Sequence, residues 1–394
     1  MNGTIYMPVG EVCSSISDTY REKKNMVTLI NTSDVLEGRV LNHERVPNSN
    51  LKGQFKKTFQ RDDILYSEIR PQNRRFAYVD FSPIDYIAST KLMVIRAKKD
   101  VVSPKYLYYF LKNSSTVAEL QLLAETRSGT FPQITFSEVA NLTIPVPSLA
   151  VQEVIVQTMQ CLEDKITCNE QINDNLEQQA QAIYHERFET VSPNDLPSDW
   201  RIVTLGEVAT ISNKSFNPLK EPEILLEHYS IPAFDEARFP VFEQSTSIKS
   251  NKFIIDASCF MISKLNPTTK RVWKPYCLTG NAVCSTEFIV YKAKDKTITD
   301  FLYSVIDSNS FSDFMCSHVT GSTGSRQRTT PSDTLSYELI LPSEDELAEF
   351  QSLVSPMYAQ IRINAIENDR LKRLRDSLLP KLMSGEIDVS TIQL

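Results

Sequence analysis

The chain repeats itself at a fixed offset, and this limits its possible folds more than any other feature of the sequence. Val-Gly-Glu-Val at residues 9–12 recurs as Leu-Gly-Glu-Val at 205–208, and Ala-Ser-Thr-Lys at 88–91 recurs as Cys-Ser-Thr-Glu at 284–287. Both pairs are 196 residues apart, and at an offset of 195 the match continues into the second half of each copy. The sequence therefore predicts two copies of one unit, each a globular part followed by a helix.

Each copy ends in a segment whose apolar residues alternate in steps of four and three, the spacing of a coiled-coil seam. Ser148 is expected to cap the first helix, and Ser343 with Glu346 forms a capping-box pattern at the start of the second. The seam positions are Ile155, Met159, Leu162, Ile166, Asn169, Asn173, Leu176, Ala180 and Ile183 in the first helix, and Phe350, Val354, Met357, Ile361, Asn364, Asn368, Leu371, Arg375 and Leu378 in the second.

Asparagines occupy the centre of both seams, at Asn169 and Asn173 in the first helix and at Asn364 and Asn368 in the second. A polar residue in an apolar seam lowers stability but fixes the register of the helix pair. Asn169 and Asn364 are each the middle of nine seam positions, so we expect an antiparallel pair in which these two residues face each other. The alternative is that each helix packs only on its own globular part.

The globular parts mix short β-branched runs, as at 63–69 and 286–291, with short helical patterns, as at 104–113 and 298–307. We therefore predict an α+β fold with two repeated α+β domains, separated by two long helices that form an antiparallel coiled coil with pseudo-twofold symmetry. The expected boundaries are 1–147 for the first domain, 148–190 for the first helix, 191–198 for a linker, 199–342 for the second domain and 343–394 for the second helix.

The formal net charge of -7 would disfavour nucleic-acid binding, but the charge is unevenly distributed. Residues 148–198 carry nine acidic and two basic groups, whereas residues 1–147 carry fifteen acidic and nineteen basic groups. The globular parts can therefore still bind an anionic partner. The seven cysteines are scattered without a C-x-x-C pair, which disfavours disulfides and a zinc site. Because no long apolar run or signal peptide is evident, a cytoplasmic protein is expected.

Motifs for catalysis are incomplete. The nearest approach to the Asn/Asp-Pro-Pro-aromatic motif of DNA methyltransferases is Asn-Pro-Thr-Thr at 266–269, which lacks the second proline and the aromatic residue. The stretch 321–326 lacks the Gly-Lys-Ser/Thr of an ATP-binding loop, and the four histidines have no metal or triad partners at a characteristic spacing. We therefore predict a binding protein and not an enzyme. A fused methyltransferase and a coiled-coil protein adaptor are the alternatives.

Three stretches at the predicted boundaries are distinctive. They are Ile-Pro-Val-Pro at 144–147, Leu-Pro-Ser-Asp-Trp at 196–200 and Leu-Leu-Pro-Lys-Leu-Met-Ser-Gly-Glu-Ile at 378–387. These stretches resemble the hallmarks of type I restriction-modification specificity subunits, and the resemblance covers essentially the whole chain. The first copy departs from the pattern because it lacks the Leu-Pro-x-x-Trp lead-in of the second.

The resemblance implies two target-recognition domains, each reading one half of a bipartite DNA site. The two helices would be the central and distal conserved regions, which space the domains and dock modification subunits. The partners would be double-stranded DNA, two methyltransferase (modification) subunits and the motor-nuclease (restriction) subunits. S-adenosylmethionine, ATP and magnesium would be bound by those partners, and no cofactor is expected in this chain.

Arg, Lys, Asn and Gln on loops carry the donors and acceptors that match base edges in the major groove. Polar loops with such residues occur at 70–75 and 127–133 in the first copy and at 266–274 and 324–328 in the second, and a basic run at 370–375 could contact phosphate. The loops occupy equivalent places but differ in sequence, as expected if each copy reads different bases; for any one residue, a solvated polar loop is the alternative. The candidate DNA-binding residues are Arg70, Gln72, Asn73, Arg74, Arg75, Arg127, Gln133, Asn266, Thr268, Lys270, Arg271, Lys274, Arg326, Gln327 and Arg328.

Overall fold

The computed structural model describes residues 4–22, 24–49, 53–127, 130–221, 223–320 and 327–389. The chain divides into two compact units, which we call unit 1 (Met1–Lys165 with Leu371–Leu394) and unit 2 (Ile166–Arg370). Each unit contains one globular part together with a segment of both long helices. The helices are therefore divided between the two units, because each packs part of its apolar seam on each globular core.

Unit 1 contains two four-stranded sheets within its described residues. Its strands are β1 (Ile5–Pro8), β2 (Cys13–Ile16), β3 (Met26–Ile30), β4 (Val35–Leu36), β5 (Arg39–Val40), β6 (Val46–Pro47), β7 (Phe55–Lys57), β8 (Ile64–Ser67), β9 (Phe76–Tyr78), β10 (Tyr86–Ser89), β11 (Leu92–Ala97) and β12 (Thr143–Val146). One sheet has the antiparallel order β2-β11-β8-β9, and the other has the order β6-β3-β10-β7 with β3 and β10 parallel. β1 pairs with β12, and β4 pairs with β5.

The helices of the first copy lie between these strands and after the last of them. They are α1 (Val9–Val12), α2 (Pro104–Lys112), α3 (Ser114–Arg127), α4 (Phe136–Asn141) and the long helix α5 (Leu149–Tyr184), with short 3₁₀ turns at Thr32–Asp34 and Pro71–Asn73.

Strand β11 shows why the first copy folds in layers. Successive side chains of a strand point to opposite faces of the sheet. Met93 and Ile95 pack in the core that the helices cover, whereas Leu92 and Val94 pack in the core shared with the second sheet. Because both faces are covered, all four side chains are buried, which explains the continuous apolar run in the sequence.

Unit 2 repeats this topology. Its strands are β13 (Arg201–Thr204), β14 (Ala209–Ile211), β15 (Ser215–Phe216), β16 (Leu225–Tyr229), β17 (Val241–Gln244), β18 (Lys252–Ile254), β19 (Cys259–Ser263), β20 (Val272–Trp273), β21 (Ala282–Ser285), β22 (Phe288–Ala293), β23 (Val319–Thr320), β24 (Arg328–Thr329) and β25 (Glu338–Leu341). The order β14-β22-β19-β20 reproduces β2-β11-β8-β9, and β18-β21-β16-β17 reproduces β7-β10-β3-β6 with its parallel pair. The prediction of two repeated α+β domains is confirmed.

The helices of the second copy are α6 (Leu205–Val208), α7 (Ile231–Ala237), α8 (Thr299–Ile306), α9 (Asn309–Ser317) and the long helix α10 (Glu344–Ser384), with 3₁₀ turns at Pro218–Lys220, Ser245–Ser247, Lys296–Ile298 and Pro331–Ser336. In the described part of the chain, none of these helices combines the length and the apolar character that a membrane span requires.

The repeated Gly-Glu-Val motif marks a close contact in each copy. A Cβ atom added to Gly10 would lie 3.0 Å from Cβ of Ala140, and one added to Gly206 would lie 3.2 Å from both Cβ and the carbonyl oxygen of Leu335. Glycine therefore lets α1 approach α4, and lets α6 approach the 3₁₀ turn Pro331–Ser336. The motif is a packing signature of the fold.

Aromatic rings fix both long helices to the core of unit 2. Phe188, in the π-helical turn His185–Glu189 that follows α5, lies with its ring centroid 5.2 Å from that of Phe350 in α10 and 5.4 Å from that of Phe301 in α8. All three rings are buried. Pairs of this geometry stabilise a fold by about 0.5–1.5 kcal/mol beyond the area that they bury.

In unit 1, an ionic cluster joins α2 to the first half of α5. The Tyr109 hydroxyl donates a 2.9 Å hydrogen bond to Glu163, which also pairs with Lys112. The Lys112 ammonium lies 4.6 Å from the centroid of the Tyr109 ring. Burial lowers the pKa of Lys112, and the neighbouring Glu163 carboxylate opposes this effect. The helix therefore contacts the first globular part through a partly buried charge pair.

The ends of the helices agree in part with the sequence patterns. Ser148 accepts a hydrogen bond from the Val151 amide at 3.4 Å, and Ser343 accepts one from the Glu346 amide at 3.3 Å, as expected for caps. Pro380 and Gly385 predict the end of the second helix. α10 continues through Pro380, ends at Ser384 and is followed by Gly385, which has a φ of 78°.

The central asparagines pair, but not as the sequence predicted. Asn169 Nδ2 donates to Asn368 Oδ1 at 2.8 Å, and Asn364 Nδ2 donates to Asn173 Oδ1 at 2.8 Å, so the helices run antiparallel within unit 2. The prediction that Asn169 faces Asn364 is wrong by about one helical turn. If Asn169 paired with Asn364, Asn173 and Asn368 would each lie in an apolar layer of the seam, without another asparagine as partner. The observed register gives all four buried or half-buried amides a side-chain partner.

Candidate nucleic-acid interface

The two polar loops predicted in the first copy lie side by side. Ile69 forms an antiparallel bridge with Gln133, the Arg70 amide donates to the Pro132 carbonyl at 3.1 Å, and the Ile134 amide donates to the Glu68 carbonyl at 2.9 Å. We call residues 68–75 with 130–134 the first loop pair. Two segments some 60 residues apart therefore form one surface.

The second copy builds the same arrangement from different residues. Leu265 bridges Arg328, the Asn266 amide donates to the Gln327 carbonyl at 2.9 Å, and the Thr329 amide donates to the Lys264 carbonyl at 3.1 Å. We call residues 264–271 with 327–329 the second loop pair. Each hydrogen bond has its counterpart in the first pair at an offset of 195 or 196, so the backbone frame is common to both copies.

A left-handed residue begins the turn in each loop pair. Arg70 has a φ of 44° and Asn266 a φ of 49°, and each precedes a proline that opens the turn. This conformation costs an L-residue on the order of 1–2 kcal/mol, and less for Asn, whose short side chain tolerates it. The hydrogen bonds from Asn73 to the Arg70 carbonyl and from Thr269 to the Asn266 carbonyl, both at 2.9 Å, hold the turn closed. Strain that a frame maintains in both copies is typical of a functional loop.

Several predicted residues stand at the exposed tips of these turns. Arg70, Gln72 and Asn73 are exposed, and within the described part of the chain their side chains make no hydrogen bond or ion pair. Thr268 is likewise exposed in the second pair. The Gln72 backbone amide is fixed by a 3.1 Å bond to Gln121 Oε1 of α3, a contact that the sequence patterns did not reveal. The tips are therefore held by their backbone while their side chains remain available.

Other predicted arginines are engaged within their own unit. Arg75 donates to the Ser33 carbonyl at 3.0 Å, Arg74 donates to the Ser114 hydroxyl at 3.0 Å, and Arg127 pairs with Glu138 at 2.8 Å. Arg127 is more than half exposed. Exposed ion pairs of this kind contribute only about 0–1 kcal/mol, so such a side chain can exchange its partner for a phosphate at small cost.

The basic residues of the second loop region form ion pairs with carboxylates of unit 2. Arg271 forms a bidentate pair with Asp235 at 2.6 and 2.9 Å and is only 14% exposed. Lys270 pairs with Asp307 at 3.0 Å. Lys274 pairs with Asp300 and lies over the Tyr358 ring of α10, 5.4 Å from its centroid. All three of these candidate side chains therefore contact carboxylates of unit 2.

The remaining candidates lie on the second loop of each pair. Gln133 accepts a bond from Lys91 Nζ at 3.4 Å, and Arg328 forms a bidentate pair with Glu287 at 3.0 and 3.1 Å. The Gln327 backbone carbonyl belongs to the frame, and Arg326 lies outside the described residues. Lys91 and Glu287 had not been singled out as site residues. Their only signal in the sequence was that both belong to the repeated Ser-Thr motif.

Reactive groups are not assembled at these surfaces. Among the described residues, no cluster of three His, Cys, Asp or Glu side chains is arranged to hold a metal ion. Burial raises the pKa of the Cys13 thiol to about 12 and that of the Cys259 thiol to about 11, so both stay protonated and poorly nucleophilic at neutral pH. What the loop pairs offer is hydrogen-bonding and charge, which is the chemistry of recognition.

Residues 6–178 match the family model of the type I restriction modification DNA specificity domain. The Type I restriction enzyme HindI specificity subunit of Haemophilus influenzae is 29% identical over an alignment of 433 positions, which covers 92% of this chain and 94% of that protein. Over most of its length, the chain is similar to type I restriction-modification specificity subunits. The MjaIX specificity subunit of Methanocaldococcus jannaschii is 25% identical and is matched over 79% of this chain and 77% of its own length.

Two solved structures show that the fold of a type I specificity subunit extends over the whole chain. The type I restriction-modification S subunit from M. genitalium has a TM-score of 0.54 at 15% identity and covers 97% of this chain and 96% of its own. A chain from work on complex assembly and conformational transition of the type I R-M system has a TM-score of 0.51 at 19% identity, covering 98% and 99%. The recognition drawn from the boundary motifs is confirmed.

Proposed function

We propose that the two loop pairs of this specificity subunit read the two halves of a bipartite DNA site. The observation that carries the proposal is a common backbone frame that bears different polar side chains in the two copies. Arg70 and Gln72 occupy the tips in the first copy where Asn266 and Thr268 stand in the second. The two loop pairs share one backbone conformation but differ in their tip side chains. This is expected of two domains that present different base-reading groups to the same kind of DNA groove.

The polar residues of the two loop pairs have the chemistry for direct readout. Arg bonds to O6 and N7 of guanine, Asn and Gln bond to N6 and N7 of adenine, and Thr contacts several base edges. Arg70, Gln72 and Asn73 would read the first half-site, and Asn266, Thr268 and Arg328 the second. Arg74, Arg75 and Arg127, which flank the first turn, would contact phosphate, as would Arg326 and Gln327 in the second copy. Lys270, Arg271 and Lys274 would support the second loop pair from within unit 2.

The chain itself would carry out no reaction. The incomplete methyltransferase and nucleotide motifs support this assignment. Methyl transfer with S-adenosylmethionine would belong to two methyltransferase subunits, and cleavage with ATP and magnesium to motor-nuclease subunits. Specificity subunit is the description that the H. influenzae relative carries within its own restriction enzyme. The long helices, with the acidic stretch 148–198, would dock the methyltransferase subunits and set the gap between the half-sites.

The test replaces the tip of one loop pair at a time in the complex assembled with methyltransferase subunits. The variant Arg70→Ala, Gln72→Ala, Asn73→Ala should lose or relax recognition in one half-site only, because a bidentate contact contributes about 1–3 kcal/mol of base discrimination. The reciprocal variant Asn266→Ala, Thr268→Ala is the matched control and should affect only the other half-site. Methylated positions are mapped by sequencing a genome that expresses each complex. Equal loss at both half-sites in both variants would show that the loops position DNA without reading it.

A further inference from the structure

The repeated Ser-Thr motif, which the loop pairs do not include, lies against them in both copies. Ser89 Oγ accepts the amide of Lys91 at 3.3 Å, and the Lys91 carbonyl accepts the Glu68 amide at 3.0 Å. In the second copy, Ser285 Oγ accepts the amide of Glu287 at 3.2 Å, and the Glu287 carbonyl accepts the Lys264 amide at 2.9 Å. Backbone hydrogen bonds therefore hold Lys91 and Glu287 against the first loop of their respective loop pairs.

Its side chain reaches the second loop. Lys91 Nζ lies 3.4 Å from Gln133 Oε1 and 3.5 Å from Glu68 Oε2. Glu287 accepts two bonds from the Arg328 guanidinium, from Nε at 3.0 Å and from Nη2 at 3.1 Å. The residues in contact occupy equivalent positions, since Gln133 and Arg328 are the bridge residues opposite Ile69 and Leu265.

The charge at this position is reversed between the copies. In unit 1 a cation contacts the Gln133 amide oxygen and the Glu68 carboxylate, and in unit 2 an anion contacts a guanidinium. The equivalent residue of the first loop also changes sign, from Glu68 to Lys264. The inversion therefore accompanies changes on both loops, and on the second loop the residue in contact is Gln in one copy and Arg in the other.

We propose that Lys91 and Glu287 are positioning residues for base recognition, which orient Gln133 and Arg328 toward one base of the first and second half-site, respectively. This inference rests on the proposed function of the loop pairs. Lys91 directs its positive charge at the Gln133 carbonyl oxygen, so the amide NH₂ is presented to a base acceptor. Glu287 fixes the plane of the Arg328 guanidinium, and the base matched to a planar fork is guanine.

The experiment measures base preference at every position of the site, using the complex with methyltransferase subunits and a library of substituted DNA duplexes. Glu287→Gln keeps the size of the side chain but cannot accept both guanidinium bonds, so discrimination at one base of the second half-site should fall about tenfold. Arg328→Lys, which keeps the charge but loses the fork, should relax the same position. Glu287→Asp retains a carboxylate and should keep most of the preference.

Two controls separate positioning from stability. Asp256→Asn removes another exposed ion pair of unit 2, with Lys292, and should leave every base preference unchanged. Lys91→Met, at a position about half exposed, should relax one base of the first half-site and none of the second, which provides an independent variant should Glu287→Gln fail to fold. Melting temperatures of all variants show whether any loss of preference merely follows a loss of fold.

The outcomes are distinguishable. If the unaltered complex shows no base preference in either half-site, the proposed function itself is wrong. If Arg328→Lys relaxes one position but Glu287→Gln leaves it intact, the loops read DNA and the positioning role is overturned. It is overturned equally if Arg328→Lys changes nothing, or if Glu287→Gln weakens all positions alike.

Discussion

Asn169 and Asn368 share a 2.8 Å hydrogen bond at the centre of the paired helices, and both side chains are nearly inaccessible to solvent. Asn169 Nδ2 also donates to Glu367 Oε2 at 2.8 Å, and Asn368 Nδ2 donates to the Ile166 carbonyl at 3.3 Å. A slip of either helix by one turn would break these bonds inside a seam that offers few other polar partners. The pair therefore specifies the register of α5 against α10.

The first prediction concerns this pair. Asn368→Leu removes one of the two acceptors of the buried Asn169 Nδ2, so the free energy of unfolding should fall by about 1–3 kcal/mol. The double variant Asn169→Leu, Asn368→Leu should recover most of that loss, but helix register should become less unique. Urea unfolding of the four members of the cycle measures the coupling, and a crystal structure of the double variant measures the register. Additive losses, or a register unchanged in the double variant, would contradict the assignment.

The second prediction uses the close contact of the repeated glycine. Gly206→Val should destabilise the chain by about 1–3 kcal/mol, because its side chain would meet the Leu335 backbone, which cannot shift freely. Gly280→Val is the matched control in the same unit, since a Cβ atom there meets nothing within 4 Å. Thermal unfolding compares the two. Similar melting temperatures for both variants would refute the packing role.

The third prediction is a pH dependence carried by Glu177 on α5. Burial raises the pKa of this carboxyl, and the Arg238 guanidinium, at 2.8 Å, only partly offsets the effect. A carboxyl whose folded pKa lies above its unfolded pKa stabilises the fold below the unfolded value, near 4.5, and loses that contribution as pH rises through the folded value. Wild type should therefore lose stability relative to Glu177→Gln as pH rises above about 4.5. Melting temperatures of both proteins between pH 4 and 7 test this, and a constant difference argues against it.

The fourth prediction concerns the helices as a spacer. Seven residues inserted between Gln171 and Ile172, and seven between Ala365 and Ile366, keep the seam in phase and match the observed register. The paired helices should lengthen by about 10 Å, so the unread gap of the DNA site should grow by roughly three base pairs. Both half-site sequences should stay the same, and insertions of two residues should instead abolish assembly. Methylation mapping that still finds only the original gap would show that the helices do not set it.

Part of this protein could be read from the residue order alone. Repeated motifs such as Val-Gly-Glu-Val at 9–12 and Leu-Gly-Glu-Val at 205–208 are local, so the two copies, their α+β composition and both long helices followed from periodicity. The residues that contact each other did not follow. Several registers of the two helices give similar apolar layers, and the buried amides decide between them. The centre of the seam pattern predicted Asn364 as the partner of Asn169, whereas in the structure the partner is Asn368.

The recognition surface shows the same division. Composition identified Arg70 and Arg328 as candidates, but only the tertiary structure decided that Arg70 is exposed at a strained turn and that Arg328 is held by Glu287. Lys274 lies over Tyr358 of α10 and pairs with Asp300 of α8. A long side chain pairs with whichever carboxylate the fold brings near, and here that carboxylate lies on another element. Sequence determined which chemistry each copy carries. Long-range packing determined which of those groups face solvent, since exposure and pairing depend on residues far apart in the chain.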